Sequence, residues 1–137
     1  MSPSQIAAKN ISNPDMSSEA LAECASKAAL DRKALDVLVI DVRTRVSYTD
    51  FVVLASGTSD RHVAAVAEVV EHAIKQAGTT VIGTEGAREG QWALIDAGHI
   101  VVHVFHQDIR PSYDLETLFQ ETPKTRPKTH VESVQKR

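Results

Sequence analysis

Apolar residues recur at three- and four-residue steps in two stretches of this chain and in nearly unbroken runs in three others. The first helical stretch is "SSEALAECASKAAL", where Leu21, Cys24, Ala25 and Ala28 share one face and Ser17 or Ser18 can cap the start. The second, "SDRHVAAVAEVVEHAIKQAG", is stronger: Val63, Val66, Ala67, Val70, Ile74 and Ala77 form one stripe, Ser59 caps it, and Gly78 can close it in a left-handed conformation. Between them, "DVLVIDV" (residues 36–42) predicts a strand covered on both faces in the middle of a sheet, and "FVVLAS" predicts a second strand. "TTVIG" reads as a short strand, "TEGAREG" as a loop, and "QWALIDAGHIVVHVF" as a hairpin turning at Ala97 and Gly98. Pro111 breaks the segment that follows into short helical pieces, with Asp114 placed to cap "LETLF". The order predicts a single α/β domain: a mixed sheet of about five strands with helices packed against it.

Length supports one core. At 137 residues with 42% hydrophobic content the chain suits one domain. The expected organisation is a flexible N-terminal extension over 1–16, a folded domain over 17–120, and a basic, disordered tail over 121–137. The N-terminus lacks a signal-type apolar region, no apolar stretch is long enough to span a bilayer, and Cys24 is the only cysteine, so a reducing, cytoplasmic setting and no membrane contact are expected. Charge divides unevenly. The last 17 residues carry five Lys or Arg against two Glu, which is +3, and subtracting this from the whole-chain −3 leaves −6 on residues 1–120. An acidic body suits a basic protein partner, and only the tail is placed to attract RNA.

The turn "ASGTSD" joins a strand to a helix, where backbone N–H groups and a permissive glycine can hold a phosphate. Gly57, Thr58 and Ser59 are therefore a candidate anion-binding turn. It has neither a following Gly-Lys-Ser/Thr nor the further glycines of a dinucleotide fingerprint. The arrangement is like the Gly-Ser turn of nucleotidyltransferases, but "TTVIG" carries no acid to hold magnesium, and Asp60 in the first helical turn would repel a phosphate. Other chemistry is thin. His103 and His106 lie three apart on a strand, pointing to opposite faces, which makes a poor metal clamp. His103 reads as a partly buried ring bonded to its neighbours, His106 as a loop residue, and Cys24 as a small core residue. Ser56, Ser59, Asp60 and His62 lack a G-x-S-x-G elbow, so no hydrolase triad is supported. No cofactor, metal or catalytic residue is expected.

The later motifs point elsewhere. Ser56 to Ser59, Glu85-Gly86, Trp92, Leu94, Asp96, Val101 to His103, Phe105, His106, Arg110 and Tyr113 to Glu116 together give a pattern by which the chain resembles the ribosomal silencing factor family, also called iojap-like, over about residues 18–120. Two departures are Asp60, where Asn is common, and the tail beyond Gln120. The resemblance implies a nucleotidyltransferase-like core lacking catalytic carboxylates. It also implies a non-enzymatic protein that docks on ribosomal protein L-fourteen of the large subunit, blocks joining of the small subunit, and so represses translation under nutrient limitation. The alternative is a nucleotide-binding or nucleotidyltransferase-like enzyme using Gly57 to Ser59.

Strand alternation gives the docking surface a physical form. Trp92, Leu94 and Asp96 fall on one face of the hairpin arm, and Gln91, Ala93 and Ile95 on the other. An aromatic anchor, an aliphatic neighbour and an acid in line suit a protein-binding patch. His106, Arg110, Tyr113 and Asp114 are expected to border it. A weak homodimer through the same patch, and rRNA contact by the tail, are further expectations.

Overall fold

The computed structural model describes residues 16–87, 90–110 and 124–127. Ser17 accepts a hydrogen bond from the Ala20 N–H and starts helix α1, Ser18–Asp31, which buries Leu21, Ala22, Ala25, Ser26 and Ala29. Strand β1 (Leu35–Asp41) follows, then β2 (Phe51–Gly57) and α2 (Asp60–Gln76). Ser59 caps α2, and Gly78, at φ 92°, takes the left-handed position just beyond its end. Strands β3 (Gly83–Glu85), β4 (Trp92–Asp96), β5 (Ile100–His106) and β6 (Lys124–Thr125) complete the described elements.

The sheet order is β3-β4-β5-β2-β1-β6, with β2 and β5 parallel and the other pairs antiparallel. Helices α1 and α2 both lie on one face. There Val37, Phe51, Val53, Ala55, Ala93, Ile95, Val102 and Val104 meet Leu21, Ala25, Val63, Val66, Val70 and Ile74 in the main core. Fully burying a Val or Ile side chain is worth roughly 1.5–3 kcal/mol, so the α2 stripe is a large share of what holds helix to sheet. The opposite face carries a smaller apolar cluster of Leu38, Ile40, Val42, Val52, Leu54 and Phe105, with Trp92 and Val46 packed against it.

Three expectations are corrected. Strand β1 is not central: it lies second from the edge, and the two-residue β6 pairs only with its Val39 and Ile40. The centre is β2, all seven of whose residues are buried. The third strand is Gly83–Glu85 rather than "TTVIG", so it runs into what read as a loop. Its residues are exposed, and it is held by backbone pairing to β4, so no apolar pattern marks it. Finally, the tail is not irregular throughout, because Lys124 and Thr125 pair with β1. The short helical pieces expected after Pro111 lie outside the described residues.

Candidate functional site

At the glycine turn, two of the backbone donors that could face an anion are already in use. The Thr58 N–H donates to His62 Nδ1 at 2.9 Å and the His62 N–H to Ser59 Oγ at 3.1 Å. Because Nδ1 accepts, the ring proton sits on Nε2, which donates to the Arg32 carbonyl at 2.8 Å and ties the turn to the end of α1. Asp60 accepts from Gln91 Nε2 at 2.8 Å. Gly57 is explained by packing: a Cβ there would stand 2.9 Å from the Val63 backbone nitrogen and from its Cγ2. Glycine at this position lets α2 lie close on β2, without any ligand.

The other candidate nucleophiles are committed too. Ser56 is buried and its Oγ accepts from Arg110 Nη1 at 2.9 Å. Half-buried Cys24 has its thiol pushed up in pKa by burial, which disfavours the thiolate. No cluster of three His, Cys, Asp or Glu side chains suits a metal among the described residues.

The face opposite α1 and α2 offers a different kind of site. Register sets Trp92 opposite Phe105, Leu94 opposite His103, and Asp96 opposite Val101, with Glu85 of the edge strand beside Leu94. Along β4, Ala93 and Ile95 are buried under the helices while Trp92, Leu94 and Asp96 stay half-exposed. The indole stacks on His103 at 5.9 Å and 26° and on Phe105 at 5.4 Å and 22°. Its Nε1–H donates to His103 Nδ1 at 3.1 Å. Burial pushes His103 down to about 4, so the ring is neutral near pH 7 and behaves as part of an apolar stack. Asp96 Oδ1 accepts from the Gly98 N–H at 2.9 Å and shapes the hairpin turn, where Gly98 takes φ 82°. Gly86 is fixed by proximity: at φ 79°, any Cβ would collide with the Trp92 carbonyl.

Of the seven residues expected to form the patch, the described chain brings together Trp92, Leu94 and Asp96. His106 departs: alternation along β5 sets it with Val102 and Val104, away from Trp92, and its Nδ1 accepts from the Asp108 N–H. Arg110 also departs. It is 8% exposed, and Nη1 donates to the Asp36 carbonyl at 2.7 Å as well as to Ser56. The register of β1 on β2 shifts between Leu35 and Leu38, and within that irregularity Asp36, at φ 48°, offers its carbonyl to Arg110. Tyr113 and Asp114 lie outside the described residues. The reading missed His103 and Glu85 as members of the face, although cross-strand pairing of the predicted hairpin was enough to place His103.

Comparison with known proteins supplies the context. Residues 15–137 match the family described as ribosomal silencing factor during starvation, a span that takes in the tail which the motif resemblance left out. A ribosomal silencing factor of Chromobacterium violaceum is 36% identical over 104 residues, covering 76% of this chain and 85% of the relative. A mouse protein named mitochondrial assembly of ribosomal large subunit protein 1 is 33% identical over 90 residues, covering 63% of this chain and 39% of that one. A crystal structure of a Chromobacterium violaceum protein superposes with a TM-score of 0.75 at 33% identity, covering 84% of this chain and 93% of the other.

Proposed function

The chain belongs to the ribosomal silencing factor family, a non-enzymatic regulatory family, and from that premise we propose that it represses translation by docking on ribosomal protein L-fourteen of the large subunit. The bound domain then fills space that the small subunit needs, and joining fails without any chemistry. The observation that carries this reading is the row of half-exposed Trp92, Leu94 and Asp96 on the face opposite α1 and α2. Stacking holds the Trp92 ring against His103 and Phe105, and the acids Asp96 and Glu85 flank an apolar centre. Such a patch fits a partner offering an apolar side chain ringed by basic groups. The name of the mouse relative is in keeping with a large-subunit target.

The turn at Gly57 to Ser59 gives the enzymatic alternative little support, since Thr58 and His62 spend their N–H groups within the fold.

The test is sedimentation with separated ribosomal subunits. The protein is expected to pellet with large subunits, not small ones, and to lower formation of full ribosomes. Trp92→Ala is expected to cost about 2 kcal/mol or more, roughly thirtyfold in affinity. Sedimentation with neither subunit rejects the proposal.

A further inference from the structure

The proposed docking face depends on an aromatic anchor, and the residue beneath that anchor was not among those expected to form the site. We infer that His103 is the positioning residue for Trp92: its Nδ1 holds the indole N–H and its ring lies alongside the indole edge, so the anchor is set before the partner arrives. The inference rests on the reading of the Trp92 face as the docking surface.

Three observations converge. The hydrogen bond is 3.1 Å long, and an indole N–H only donates, so Nδ1 must carry a lone pair and the ring proton must sit on Nε2. His103 stacks on both Trp92 and Phe105, at 5.9 and 6.0 Å between centroids, so its plane is fixed on two sides. Register puts it directly across from Leu94, the second apolar member of the face. The depressed pKa, near 4, is consistent with this, because a protonated Nδ1 would present a hydrogen to the indole N–H. A large ring at a half-exposed strand position otherwise has rotamers to lose on binding. Fixing them in advance removes that cost from the association step.

Trp92 is the only tryptophan in the chain, so its fluorescence and its indole proton report on this one ring. The experiment compares wild type, His103→Phe, His103→Asn and Trp92→Ala in large-subunit binding and in indole N–H exchange by NMR. Phenylalanine keeps a flat ring and removes the acceptor; asparagine returns an oxygen near the position of Nδ1. His103→Phe is expected to lower affinity roughly tenfold with faster indole exchange and altered emission. His103→Asn is expected to recover most of both. If Trp92→Ala loses binding while His103→Phe binds as wild type, or weakens with unchanged indole exchange, the role of His103 is overturned and the docking face stands. If Trp92→Ala binds normally, the docking face itself fails, and the inference with it. Should His103→Phe not fold, the wild-type indole proton decides alone: protection from exchange is expected, and exchange at the rate of free tryptophan overturns the inference.

Discussion

Burial pushes His103 down to about 4, so between that value and the ordinary 6.5 the unfolded chain binds a proton that the folded chain refuses. The sign follows directly. The stability associated with the neutral ring is complete above about pH 6.5 and is lost as pH falls through the window toward 4. The loss is on the order of 3 kcal/mol. Urea midpoints measured from pH 7 to 4 are expected to fall accordingly, and His103→Asn to flatten the slope. Asp41, held below the usual carboxylate range by its hydrogen bonds to Arg43, acts only at lower pH and does not confuse the window. A second residue-scale prediction concerns Asp96, which has two tasks. Asp96→Asn keeps an oxygen for the Gly98 N–H and removes the charge, so the melting temperature is expected to hold while large-subunit affinity drops a few-fold. Alternation made Trp92, Leu94 and Asp96 legible as a group before any coordinates. Arg110 was not legible, because its residue type belongs on the surface and its partner is a backbone carbonyl at a register shift that no composition signal marks.

At the level of elements, Arg110 fastens β1 to β2 from the segment after β5, bonding the Asp36 carbonyl and Ser56 at once. Arg110→Ala leaves the buried Ser56 hydroxyl and the part-buried Asp36 carbonyl without this donor and is expected to cost roughly 1–3 kcal/mol by urea denaturation, with Arg110→Lys recovering part. The same measurement separates a structural from a binding role, since the folded fraction of Arg110→Ala is expected to bind large subunits as wild type does. The β2-to-α2 junction makes a parallel case. Gly57→Ala drives a methyl against the Val63 backbone, and an expected loss of about 1–3 kcal/mol follows from overpacking alone. Calorimetry of the wild type with magnesium and ATP is expected to be silent; a binding heat there would revive the enzymatic alternative. Helices α1 and α2 were readable because each buries one stripe and caps itself with Ser17 or Ser59. Strand β3 escaped because its residues are exposed and backbone pairing alone holds it, whereas the more apolar Val81 and Ile82 only lead into it.

For the molecule as a whole, the issue is whether adhesion resides in the folded body or in the charged end of the chain. The body carries −6 and the last 17 residues +3, so the two would meet a ribosome by opposite electrostatics. A basic protein surface attracts the Trp92 face with its acids, whereas rRNA phosphates attract only the tail. Removing residues 128–137 deletes three cations and one acid while leaving Lys124 and Thr125 to pair with β1, so the fold is expected to keep its melting temperature. Removing 121–137 takes β6 as well, and a lower melting temperature is expected from that loss of pairing. Binding by the shorter deletion then decides between the two origins of adhesion. If the face provides the affinity, the deletion weakens large-subunit binding at low salt and matches wild type as screening removes the long-range attraction of the tail. If the tail provides it, binding is lost at every salt concentration, and Trp92→Ala in the full chain has little effect. Sedimentation across a salt series with these two variants therefore assigns the adhesion either to the stacked face of β4 and β5 or to ten residues beyond Pro127.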